Sequence, residues 1–174
     1  MKIETLRIWL PRTGVTASQA TGDDGYYKAG NPRVTRFVAI GNNTIRDRAT
    51  GLQWIQNNTT LGSPFNGTRT WANGLADCEA LTYGGFSDWR MPNLMEMLSI
   101  CDWSIATGVR VPSPFAIIGS TYIYYWTSTP YGNAPTSTAM IVGVGAAYGY
   151  VVSTEAMTAT NKYTLPVRGG RINA

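Results

Sequence analysis

Two cysteines and ten carboxylates, with no histidine at all, are the groups in this 174-residue chain that bear on acid–base, thiol or metal chemistry. The missing imidazole excludes Ser-His-Asp and Cys-His catalysis, histidine general bases and His-ligated metals. Two thiols are too few for a four-thiolate zinc or iron–sulfur site within one chain. The carboxylates are scattered. Asp23 and Asp24 with Gly25 have the composition of half a calcium loop. An Asx turn explains the same three residues, and calcium asks for roughly six to eight oxygen ligands. Cys78 and Cys101 fall within helical patterns, Cys101 near a helix C-terminus, where nothing lowers a thiol pKa. The expectation is a protein that is not an enzyme and uses no metal and no cofactor.

A different chemistry is concentrated in the C-terminal third. Residues 121–165 hold tyrosines interleaved with Ser, Thr, Asn and Gly. Rigid amphipathic rings beside small polar side chains are what recognition surfaces use, because they bury area at little entropic cost. Strand alternation assigns about half of the tyrosines to the core. The candidate binding residues are Tyr124, Tyr131, Asn133, Tyr148, Tyr150 and Asn161.

Charge adds less. The net charge is +4, but the 14 Lys and Arg are spread as singletons and form no nucleic-acid-binding motif. No nucleic-acid partner is expected, and a diffuse positive field favours acidic partners only weakly. Threonine and asparagine number 33 against 24 charged side chains, so solubility rests on neutral hydrogen-bonding groups and turns. Residues 1–7 lack the apolar core of a secretory signal, and no apolar run is long enough to span a bilayer. Export would therefore use a segment beyond this sequence or no signal, and membrane insertion is not expected. Leu10-Pro11-Arg12-Thr13-Gly14 spells a sortase-like pentapeptide without the apolar tail that would give it meaning.

These groups need elements to position them. Residues 1–33 read as an extension, turn-rich apart from an alternating stretch at Ile3–Leu10 that suits an edge strand; residues 34–174 read as the domain proper. Strands are expected at 34–40, 44–47, 52–56, 121–128, 137–144, 147–153 and 163–168. Thr70 can cap a helix running to about residue 83, with Trp71, Leu75, Cys78 and Leu81 on its apolar face. Asn93 can cap a second helix over 93–102, with Glu96 completing a capping box. Strands, two short helices, then strands again describe an α+β domain.

Six ordered blocks then carry a resemblance. They are Asp47-Arg48-Ala49-Thr50-Gly51-Leu52-Gln53-Trp54, Thr70-Trp71-Ala72, Cys78-Glu79-Ala80-Leu81, Gly84 to Asn93 around Ser87-Asp88-Trp89-Arg90, Tyr125-Trp126-Thr127-Ser128-Thr129-Pro130, and Val167-Arg168-Gly169-Gly170. The series resembles the Lcl C-terminal domain family, named after a bacterial collagen-like adhesin, over residues 34–170. The resemblance implies a C-type-lectin-like fold, with two short helices on small antiparallel sheets and long loops. That fold is related in shape to phage tropism proteins and formylglycine-generating enzymes. Trp54, Trp71, Trp89, Arg90 and Trp126 then read as internal scaffold: large rings beside turns, and an arginine able to bridge carbonyls or a carboxylate. Tropism-type relatives display their variable contacts in the region that here holds the tyrosines.

The departures from that resemblance matter as well. In C-type-lectin-like domains a first-helix cysteine commonly bonds one on the last strand; Cys78 takes the helix position, but Pro166 stands near where its partner would be. Two buried free thiols are favoured, in keeping with assembly in a reducing compartment. Calcium-dependent lectins use Glu-Pro-Asn or Gln-Pro-Asp with Trp-Asn-Asp, whereas Met91-Pro92-Asn93 lacks the acid. The close cysteine pair of the formylglycine-generating enzymes is missing too. Three readings stay open: a phage virion module that recognises a host-surface glycan or protein, a structural or decoration virion protein, and a secreted bacterial adhesin. The first leads, with the virion surface as location. A homotrimer is expected, since relatives display the fold in threes and Ile3, Leu6, Ile8, Trp9 and Leu10 form an apolar cluster outside the family blocks.

Overall fold

The computed structural model describes residues 10–32, 35–119, 123–145 and 152–169. After a single-turn helix α1 (Asp24–Tyr27) come strands β1 (Phe37–Gly41), β2 (Thr44–Asp47) and β3 (Leu52–Ile55), then helices α2 (Trp71–Glu79) and α3 (Leu94–Ser99). Strands β4 (Tyr124–Pro130), β5 (Thr138–Gly143), β6 (Val152–Ala156) and β7 (Val167–Gly169) complete the chain. Two antiparallel sheets result, ordered β1-β2-β3-β7 and β4-β5-β6. The fold is α+β, as the element order implied, and is consistent with a small lectin-like domain.

Local chemistry explains the first sheet. Asn42 and Asn43 both sit at positive φ, 48° and 53°, between the paired residues Gly41 and Thr44. That is the conformation whose twist matches an antiparallel hairpin, and asparagine tolerates it better than most residues. The sheet closes when β7 returns beside β3, setting Trp54 opposite Val167 and Leu52 opposite Gly169. On its way the chain crosses from the other sheet, where the Trp126 N–H donates to Tyr163 O at 2.9 Å and the Tyr163 N–H donates to Tyr124 O at 3.0 Å.

Both helices start where capping chemistry places them and end sooner than periodicity suggests. The Thr70 side chain accepts the Asn73 N–H, and Asn93 and Glu96 form the full capping box. Helix α2 stops at Glu79 instead of 83, because residues 83–86 turn through Gly84 and Gly85, both at positive φ, into a Tyr83–Phe86 bridge. Helix α3 ends at Ser99 instead of 102. There the Arg36 guanidinium donates to the Ser99 carbonyl at 2.7 Å, closing a helix end that would otherwise lack a partner. Strand boundaries shift in the same way. β1 begins at Phe37 rather than 34, with Arg36 turned inward, and β7 runs over Val167–Gly169, starting later and ending one residue beyond the expected 163–168. The strand expected at 147–153 lies mostly outside the described residues, and β6 runs from Val152 to Ala156.

Adjacent residues of β4 feed two cores. Tyr125 joins Trp54, Trp89, Met97, Ile100 and Leu165 between the first sheet and α3. Trp126 joins Phe65, Cys78, Met91 and Ile141 beneath α2. Gly74 lets α2 approach the last crossing: a Cβ there would stand 2.6 Å from Thr164 Cγ2 and 2.9 Å from Met91 Cε. Ahead of β1, residues 10–32 close on themselves, with the Arg12 N–H bonded to Asn31 O and the Asn31 N–H to Leu10 O. Asp23 caps α1 by accepting the Tyr26 N–H, and its carboxylate also takes the Gln19 and Ala20 N–H groups, so the aspartate pair makes a turn. Ile3, Leu6, Ile8 and Trp9 of the expected apolar cluster lie outside the described residues; Leu10 is 73% exposed. Among the described residues no helix is long and apolar enough to cross a membrane.

Candidate functional site

The candidate surface is one end of the β4-β5-β6 sheet. The loop 131–137 joins β4 to β5 and is held by its own backbone: the Ala134 N–H bonds Tyr131 O at 2.9 Å and the Tyr131 N–H bonds Thr138 O at 2.8 Å. Asn133 Nδ2 donates to Tyr131 Oη at 3.0 Å, which sets both side chains relative to each other. The loop after β6 lies against it, since the Met157 N–H donates to Ser137 O at 2.8 Å. Asn133, Thr136, Ser137, Thr158 and Asn161 are exposed, and Tyr131 is half-buried.

Beneath this surface sits an ion pair that sequence reading missed. Lys162 Nζ bonds Glu155 Oε2 at 2.8 Å and Asn161 Oδ1 at 2.5 Å, and lies 5.8 Å from the centre of the Tyr124 ring. Its side chain is 5% exposed. The signal was present: Lys162 is the only cation between Arg110 and Arg168, and Glu155 the only acid after Asp102. Two lone opposite charges in an otherwise neutral stretch belong together, because neither is readily buried alone.

The bond from Lys162 holds the Glu155 carboxyl below its ordinary value of 4.5. A carboxyl with a depressed folded-state pKa stabilises fully above the unfolded value and loses that contribution as pH falls through the folded one. Urea midpoints of the wild type and Glu155→Gln should therefore differ at neutral pH and converge as the pH falls below the ordinary carboxyl range through the folded-state value. A gap of unchanged size in acid would show that the pair does not stabilise the fold.

The six candidate binding residues separate under this geometry. Tyr131 and Asn133 are joined by their hydrogen bond on the β4–β5 loop, while Asn161 lies beside Lys162 in the segment after β6. Tyr124 is instead half-buried against the Trp126 cluster, as a strand residue facing α2 must be. Tyr148 and Tyr150 lie outside the described residues. Tyr125, from the wider set of tyrosines, is fully buried; its hydroxyl donates to Ile118 O at 2.6 Å, and burial pushes its pKa up.

The scaffold residues are internal. Trp54 and Trp126 are 0% and Trp89 1% exposed, while Trp71 is half-buried. The indole N–H groups of Trp71, Trp89 and Trp126 donate to the carbonyls of Thr127, Tyr83 and Arg69. Arg90 grips Glu96 with two bonds, at 2.7 and 2.6 Å, and Asp88 pairs with Arg168 rather than with its neighbour. Cys78 and Cys101 are free and buried. Burial first, then the nearby Asp77 and Glu79, push the Cys78 thiol up, away from a reactive thiolate.

The model of the Lcl C-terminal domain matches residues 43–168, well over half of the chain. The chain belongs to the Lcl C-terminal domain family. Within this Lcl domain several residues of the ordered blocks, among them Trp54, Cys78, Trp89 and Trp126, fall in the two cores, and membership is consistent with a surface-binding module. No curated protein and no solved structure matches the chain.

Proposed function

We propose that this Lcl domain is a non-enzymatic attachment module, carried as a homotrimer on a phage virion, that recognises a host-surface glycan or protein with the loops at 131–137 and 157–161. The observation that carries the reading is a division of residues. The large rings of the family blocks, Trp54, Trp89 and Trp126, are buried, while Asn133, Thr136, Ser137, Thr158 and Asn161 are exposed on loops outside those blocks. A packed interior with a free loop surface is how one fold serves many ligands.

The remaining side chains support a binding rather than a catalytic role. Asp47, Asp77, Asp88, Glu96 and Glu155 are each bonded to an arginine or lysine. Among the described residues no three acids or thiols converge as metal ligands. Three weak sites acting together raise avidity by about 10²–10⁴ without new contacts when geometry allows.

The test is attachment of the purified full chain to host cells, with light scattering to give its mass. A trimer is expected, and Tyr131→Ala with Asn133→Ala should lower attachment at least tenfold while leaving the melting temperature within a few degrees. A monomer at micromolar concentration defeats the avidity argument. A loop variant that attaches as well as the wild type defeats the site.

A further inference from the structure

Residues 111–154 contain no Asp, Glu, Lys or Arg, a run of 44 residues in a chain with 24 charges elsewhere. That run supplies β4, β5, the loop between them and most of β6. The next two charges, Glu155 and Lys162, neutralise each other at 2.8 Å, with the lysine buried. Among the described residues, the strands and loops assigned to the ligand therefore carry no free charge of their own, although the chain as a whole is cationic. Unpaired cations occur on the other sheet, where Arg46 and Arg48 are exposed on β2 and the turn after it.

Resting on the reading above, we propose that the ligand is a neutral glycan, built of hexose or N-acetylhexosamine units, rather than a sulfated, sialylated or uronate-bearing one. A sulfate or carboxylate losing water at this surface would find no unpaired cation on the described strands and loops that form it. A protein partner would look for apolar anchors, since a few buried aromatic or aliphatic groups dominate such interfaces. Between residues 123 and 163 the only exposed large hydrophobic side chain among the described residues is Val152.

What the surface does offer is paired donors and acceptors. Tyr131 Oη accepts the Asn133 amide hydrogen, which leaves the phenolic O–H to donate and Asn133 Oδ1 to accept. Neighbouring sugar hydroxyls, each both donor and acceptor, satisfy such a pair together. Asn161 is oriented by Lys162: an ammonium group can only donate, so Oδ1 faces it and the amide N–H groups remain for the ligand. Those N–H groups suit a ring hydroxyl or the carbonyl of an acetamido group. The half-buried Tyr131 ring, beside Asn133, offers a face for the apolar side of a sugar.

The experiment uses the full chain on an array of immobilised neutral, sialylated or uronate-bearing, and sulfated oligosaccharides, read at about 50 and 300 mM NaCl. Binding to neutral spots is expected, changing less than twofold with salt, because no counterions are released. Tyr131→Phe with Asn133→Ala, which keeps the ring, should weaken it at least tenfold, while Arg46→Gln with Arg48→Gln should leave it unchanged. Binding confined to acidic spots, falling more than tenfold with salt, overturns the proposal. If that binding is lost in the Tyr131/Asn133 variant, the loop site survives and only the ligand class is wrong. If it is lost in the Arg46/Arg48 variant, the site has moved as well. Neutral binding that the loop variant retains also overturns the assignment. No binding to any glycan, together with cell attachment that the loop variant abolishes, makes the partner a protein.

Discussion

Replacing Asp47 with alanine is expected to destabilise the fold by about 3–5 kcal/mol, the cost of leaving a buried charge without its partner. The stranded group is Arg36, whose side chain is 1% exposed against 0% for Asp47. Asp47 accepts from Arg36 Nε at 2.8 Å and Nη2 at 2.6 Å, and also from the Ala49 N–H and the Thr50 hydroxyl. One substitution thus removes an ion pair, opens the turn between β2 and β3, and releases the guanidinium that closes α3 at Ser99. The melting temperature should fall by on the order of 10 °C. Arg36→Met combined with Asp47→Leu should recover much of the loss, because a buried pair exchanged for apolar groups of similar size is often neutral. A single variant within about 1 kcal/mol of the wild type would mean that water reaches the pair.

Trp89→Ala is the second large effect, again about 3–5 kcal/mol, from a cavity that its surroundings cannot close. Its neighbours are fastened on both sides. Asp88 is bonded to Arg168, while Arg90 is bonded to Glu96 and exchanges backbone hydrogen bonds with Val167 at 2.8 and 2.9 Å. Loss of the indole also removes one of the two donors to the Tyr83 carbonyl, leaving only the Phe86 N–H. Chemical denaturation measures the cost, and host-cell attachment at low temperature shows what the folded fraction still does. Attachment per folded molecule should match the wild type. A stable Trp89→Ala protein that no longer attaches would relocate the site to the motif.

The parts of the fold that were legible in the sequence are those governed by near neighbours. Thr70 and Asn93 each bond a backbone N–H three residues on, and Asn42-Asn43 turns a hairpin between adjacent strands, so a short window contains the whole cause. The helix ends were not legible, because the group that closes α3 is Arg36, distant by 63 positions. Tyr124 illustrates the same limit at the site. Alternation states that neighbouring tyrosines face opposite ways, but both sides of β4 are covered, one by α2 and the other by α3. Loop residues escaped that ambiguity, and Tyr131 and Asn133 are hydrogen-bonded to each other on the β4–β5 loop. The Lys162–Glu155 pair needed only the observation that two lone charges stood near each other.

The return of β7 beside β3 makes the polypeptide close to a ring. The strands that open and close the family domain share one sheet, with Leu52 and Gly169 opposite each other. Such a domain has no directional spine: a short linker from β7 back to β1 would complete the circle, and new termini cut into an exposed loop would leave every ladder in place. It can also be carried as an insert, leaving and rejoining a host chain at one end of the sheet, with two strands between the points. Seen that way, the first sheet is a stem gripped at its two ends, and the neutral loops are its free head.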